Sequence, residues 1–125
     1  MFSALLQVAI GGALGASARF LLGVSVMRYV GAGGFPVAVL VANVLGSFLM
    51  GIFVVIAAHK GLTHLSPLVM TGLLGGFTTF SAFSLEAYTL FERGETGAAA
   101  LYVTLSVVLS IGGLVLGVFA ARGLV

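Results

Sequence analysis

The chain has no cysteine and only three acidic residues among its 125 positions. Without cysteine there are no disulfides and no thiolate metal sites, and nothing marks the redox compartment. The acids are Glu86, Glu92 and Glu95, and the last two share one polar loop. No carboxylate pair at catalytic spacing, no metal-ligating cluster and no Gly-rich nucleotide loop can be read from such a sequence, so an enzyme is not expected. The basic residues Arg19, Arg28, Lys60, Arg93 and Arg122 stand singly, and a formal net charge of +2 without a basic run or stripe argues against nucleic acid. Charged types make up 6% of the chain, against about 25% in soluble domains.

What is present is apolar. Hydrophobic types supply 61% of the residues, more than so short a chain can hide in its own core, so the outer surface is expected to face lipid. The N-terminal stretch lacks the basic start of a cleavable signal and runs straight through Arg19, so the first helix is expected to stay in the mature protein. No repeat or low-complexity tail interrupts the pattern, and residues 1–125 read as one transmembrane domain.

A hydrocarbon core of about 30 Å needs about 20 apolar helical residues. Four stretches qualify: about Leu5 to Met27, Pro36 to Ala58, a third after Ser66-Pro67 reaching about Phe91, and Gly97 to Ala121. Gly31-Ala32-Gly33-Gly34, His59-Lys60-Gly61 and Glu92-Arg93-Gly94-Glu95 separate them. Pro36 suits a first helical turn and Ser66 an N-cap. The expected class is an all-α membrane protein with four transmembrane helices per subunit. Small residues at four-residue spacing, Gly11 with Gly15, Ala42 with Gly46 and Gly113 with Gly117, permit the close backbone approach on which helix association in lipid relies. Gly75-Gly76-Phe77-Thr78-Thr79, near the middle of the third stretch, is a poor helix former, and a break at mid-membrane is expected there.

Orientation follows from the basic residues near the helix ends. Lys60 and Arg122 fall on one side of a four-helix topology, Arg28 and Arg93 on the other. This balance gives the chain little reason to insert one way only, and oppositely inserted copies are expected to pair as an antiparallel homodimer.

Polar residues inside the spans are the informative minority. Asn43 offers two amide N–H donors suited to an anion, or an interhelical hydrogen bond that serves packing. Phe80, Phe83 and Ser84 share a helical face. Phenyl edges are electropositive, so this pair either stabilises a desolvated anion or makes an ordinary core or lipid contact. Thr79, Ser81 and Ser84 add hydroxyls. Tyr102, Ser106 and Ser110 recur at four-residue steps, as a hydroxyl-lined wall or as groups bonded back onto their own helix. Glu86 pairs with a base, snorkels or lines a vestibule. Arg19 snorkels or caps a broken helix end. His59 and His64 flank a loop and carry no assignment.

The segments Gly11-Gly12-Ala13-Leu14-Gly15-Ala16-Ser17-Ala18-Arg19-Phe20, Asn43-Val44-Leu45-Gly46-Ser47-Phe48 and Gly75-Gly76-Phe77-Thr78-Thr79-Phe80-Ser81 stand in the order and spacing of motifs in a known family. Over nearly its whole length the chain resembles the small fluoride channels, the Fluc or CrcB proteins. Ala82 departs from the Thr that many relatives carry, which removes one hydroxyl from the expected polar track. The resemblance implies an antiparallel homodimer with two pores in a bacterial inner (plasma) membrane, passing fluoride passively down its electrochemical gradient and relieving fluoride toxicity. It implies that Phe80 and Phe83 line the path, that Asn43 contacts it, and that the third helices cross at the dimer centre. There the carbonyls of Gly75 and Thr78 from both subunits would hold a structural sodium ion. A small dual-topology multidrug exporter is the runner-up, but that class needs a membrane acid, typically in the first helix, where only Arg19 is charged. A non-transporting packing subunit leaves the polar stripe and Asn43 without a purpose.

Overall fold

The computed structural model describes residues 1–31 and 34–125. Ala32 and Gly33, from the glycine-rich run expected to end the first helix, lie outside the described residues. Helix α1 (Phe2–Val30) is followed by α2 (Val37–Lys60). The third span opens with a 3₁₀ turn (Thr63–Leu65) and a π-helical segment (Pro67–Leu74), continues through the short α3 (Gly75–Phe77) and ends with α4 (Phe80–Glu92). Helix α5 (Thr96–Leu124) completes the chain. Among the described residues four spans, of 29, 24, 30 and 29 residues, are long and apolar enough to cross a membrane. At 1.5 Å per residue each exceeds a hydrocarbon core of about 30 Å. The protein is therefore a multi-pass helical membrane protein.

Helices α1 and α5 run past the expected ends on both sides, and α2 runs two residues further, through His59 and Lys60. Pro36 sits at the N-cap of α2, one residue before the first helical turn. Gly61 ends α2 in the left-handed region (φ 69°), where the Leu62 N–H reaches the Ala57 carbonyl at 2.8 Å, the glycine stop described for many helices. Ser66 does not cap with its side chain. It is itself helical (φ −56°, ψ −41°), since the 3₁₀ turn carries the chain into the third span before Pro67.

Apolar side chains cover the outside: Phe20, Leu21, Leu85, Ile111 and Phe119 are each exposed by more than 60%. The buried hydrophobic core is small, with Phe83, Leu90, Ala99 and Tyr102 packed beside Phe35, Val39 and Leu40. Backbone contact at small residues does the remaining work. A Cβ at Gly11 or Gly15 would overlap the carbonyls of Leu68 and Leu73, so α1 lies directly on the π-helical segment. A Cβ at Gly117 would overlap the Phe48 carbonyl, and one at Gly51 the Leu114 carbonyl. Gly113 faces Val44 and Gly117 faces Phe48, which sets α2 and α5 side by side and parallel.

Gly75 and Gly76 remain helical, Gly75 with φ −62° and ψ −38°. The extended residues are Thr78 (φ −86°, ψ 160°) and Thr79 (φ −153°, ψ 122°). Gly76 is small for a different reason: a Cβ there would press within 2.8 Å of the Gly12 carbonyl on α1. β-Branched threonines accept extended backbone readily, so the lapse in helical geometry falls on them rather than on the glycines.

Candidate functional site

The site forms where the third span leaves helical geometry. The Thr79 N–H donates to Asn43 Oδ1 at 2.7 Å, and Asn43 Nδ2 donates to the Thr79 carbonyl at 3.0 Å. One side chain thus satisfies both backbone groups of an extended residue inside an apolar span, where an unpaired group costs several kcal/mol or so. Of the two readings of Asn43 the interhelical bond is the one seen, and it engages one of the two amide N–H groups. Thr79 also caps α4, its Oγ1 accepting from the Ala82 N–H at 3.1 Å. This places a hydroxyl cap where the helix restarts.

These bonds divert amides from their helical partners. The Thr79 N–H would otherwise serve the Gly75 carbonyl, and the Ala82 N–H the Thr78 carbonyl. Thr78 turns inward, its N–H and Oγ1 both donating to the Leu74 carbonyl at 2.9 and 3.0 Å. Its methyl packs on Gly46, where any Cβ would overlap it. Arg19 reaches across from α1 and donates from Nε to the Gly76 carbonyl at 3.3 Å. It acts as a cap on the first half of the span.

Beside Asn43 an open groove of about 370 Å³ runs between α2, α4 and α5. Asn43, Thr79, Phe80, Phe83, Ser106 and Ser110 all line it. The Phe80 and Phe83 rings are 5.4 Å apart, and Phe83 lies 5.3 Å from Tyr102, which meets Phe35 edge-on at 5.6 Å. This file of rings leads from Phe80, 78% exposed, to the fully buried Tyr102. The Ser106 hydroxyl is buried, 5% exposed as a residue, and has no hydrogen-bond partner. It is not bonded back onto its own helix, so a donor stands free at the groove.

The remaining expected residues lie elsewhere or are already engaged. Tyr102 belongs to the buried cluster and does not line the groove, although its hydroxyl also lacks a partner. The four-residue stripe of α5 is therefore divided between core and groove, because Phe35 and Phe83 close over its first member. The Ser84 hydroxyl donates to the Phe80 carbonyl at 2.9 Å on the exposed side of α4. Ser81 is exposed and meets Thr79 Oγ1 at 3.3 Å. Glu86 borders a separate cavity of about 180 Å³ with Phe35, Val39 and Arg93. Two groove residues passed over in the sequence, Ser47 and Met50, sit one and two turns past Asn43 on the same face of α2. The spacing of Ser47 from Asn43, read as a helical step, carries the signal that would have found it.

An apolar four-span bundle with an amide- and hydroxyl-lined groove beside an interrupted span defines the chain as a multi-pass helical membrane protein. The family described as "CrcB-like protein, Camphor Resistance (CrcB)" matches residues 6–118. Similar curated proteins include the "Fluoride-specific ion channel FluC" of Ruegeria sp. (strain TM1040), 69% identical over 123 residues and 98% of each chain. The protein of that name in Roseobacter denitrificans is 68% identical over 120 residues and 95% of each chain, and that of Rhizobium johnstonii is 44% identical over 119 residues and 94% of each. The chain belongs to the CrcB family, whose curated members here are named as channels rather than enzymes.

Proposed function

We propose that this chain is a fluoride-selective channel that lets cytoplasmic fluoride leave the cell passively, in a bacterial inner membrane. One observation carries the reading: in the groove, donors and phenyl rings converge without a carboxylate. Asn43 keeps a free amide N–H, Ser106 a free hydroxyl, and Phe80 and Phe83 stand beside them. Fluoride is small and strongly hydrated, so a dry path must replace its water with donors and electropositive ring edges. The same donors repel nothing anionic, whereas a cation would find no acid in the groove. The printed name of a relative 69% identical over 98% of each chain supports the same ion.

The conducting form is an antiparallel dimer with two such paths. Phe80 and Gly75 lie exposed in the interrupted span of a single chain, which gives a second copy a reason to cover that face. The break then lies at mid-membrane, where two copies cross. The carbonyls of Gly75 and Thr78 fit a structural sodium ion there. Their helical amides are engaged by Asn43 and Thr79, leaving partial negative charge with no side-chain ligand needed. Bound sodium supplies positive charge that holds these carbonyls together; the chain's own donors handle the anion.

The test is efflux from liposomes carrying the purified protein, followed with a fluoride-selective electrode. Rapid fluoride release with little chloride release is expected. No release above protein-free vesicles, or proton-driven uptake of an organic cation instead, overturns the assignment. For the dimer, a C-terminal tag accessible from both faces of the membrane is expected.

A further inference from the structure

We infer that Ser47 is the outermost donor of the anion path, the group that first replaces water on fluoride at one end of the groove; this rests on the channel reading above. Ser47 lies on α2 four residues past Asn43, about 6 Å further along the helix, and lines the same groove. Because α2 and α5 run parallel, the groove has a direction. It begins beside Phe80, Phe83 and Ser106, and it ends between Met50 on α2 and Leu114 on α5. Beyond Ser47 both walls are apolar. An ion coming from the Met50 end therefore meets Ser47 on α2 before Asn43.

Its hydroxyl is free for this task. Ser25, Ser84 and Thr89 each donate to the carbonyl four residues back on their own helix, at 2.9, 2.9 and 2.7 Å. Among the described residues the buried Ser106 hydroxyl has no partner, and Ser47 does not figure in the side-chain hydrogen bonds of this kind, which engage Ser25, Ser84 and Thr89. The two free hydroxyls stand on facing helices, near opposite ends of one groove, with Asn43 and Ser110 between. A partner-free hydroxyl beside an apolar mouth is the arrangement an anion needs when it sheds water in stages.

The experiment is fluoride efflux from liposomes carrying full-length dimer, comparing wild type, Ser47→Ala, Ser47→Thr and Ser25→Ala. A lost hydrogen bond to a charged group changes a rate about tenfold or more. Ser47→Ala is expected to slow efflux about tenfold, Ser47→Thr to stay within about twofold, and Ser25→Ala to match wild type. If Ser47→Ala yields no dimer, Ser47→Cys replaces it, keeping the shape while weakening the donor, with the same slowing expected. Wild-type rates in the donor-deficient variants overturn the inference, as does a Ser47→Thr channel as slow as Ser47→Ala, which would mark a packing role. Wild-type protein that passes no fluoride overturns the channel reading itself, a separate result.

Discussion

Two seams hold the third span in place, and they are filled differently. Against α1, the π-helical segment and α3 meet Gly11 and Gly15 backbone to backbone, so that methyls added at these two would strike carbonyl oxygens. Against α2 and α5, the span meets Asn43, Ser106 and Ser110 across an open groove of about 370 Å³. In lipid both arrangements bring helices together, one through dispersion at close range and the other through interhelical hydrogen bonds. The glycine seam leaves no room for a side chain at Gly11 or Gly15. The Asn43 seam satisfies two backbone groups and still leaves donors facing a space. In the channel proposed above the path runs where side chains hold the backbones apart, and the tight seam makes the first half of the third span its fixed wall.

This contrast predicts a graded set of outcomes. The largest is expected for Gly15→Val, which forces a branched side chain into the Leu73 carbonyl. A loss of about 3 kcal/mol is expected from such overpacking, read as collapse of the monodisperse peak on size exclusion and a fall in melting temperature. A well-folded Gly15→Val protein would show that the seam is softer than its geometry. Next is Asn43→Ala, which unpairs the Thr79 N–H and carbonyl together and removes a groove donor. Stability should fall by about 2 kcal/mol and fluoride efflux about a hundredfold; unchanged efflux would reduce Asn43 to a packing role.

Phe83→Ile should slow efflux about tenfold while the dimer persists, since isoleucine keeps apolar bulk but lacks the ring edge. Normal efflux would return Phe83 to the buried cluster it shares with Tyr102. The smallest effect is expected for Gly12→Ala. Its Cβ would meet nothing within 4 Å, although Gly11 beside it would collide. Stability and efflux should both stay near wild type, within about 0.5 kcal/mol. A large loss at Gly12 would mean that a second chain covers this part of α1.

Several features of the site were legible in the chain because they depend on local spacing. The pairs Gly11–Gly15 and Ala42–Gly46 are buried where small-residue spacing places them. The step from Phe80 to Phe83 brings the two rings to 5.4 Å. Other features were hidden because they depend on what lies opposite. Nothing local says that Asn43 closes on Thr79, 36 residues away. Nothing in the glycine pair Gly75-Gly76 says that the smallness of Gly76 serves α1 while Thr78 and Thr79 take the extended backbone. The four-residue stripe of α5 is real as a pattern, yet Phe35, distant in sequence, helps cover Tyr102 and leaves Ser106 and Ser110 to the groove.

By itself the sequence determined the medium and the number of spans. Runs of apolar residues longer than about 20, with hardly any charge, have a single stable solution in a bilayer, and small residues at helical spacing mark where helices will touch. The tertiary structure alone decided which polar groups remain free. A serine in a helix either bonds its own carbonyl or faces a neighbour, and the two states differ by little energy in isolation. Only the packing of α2 against α5, set by Gly51 and Gly117 further along, turns Ser47 and Ser106 toward a common groove.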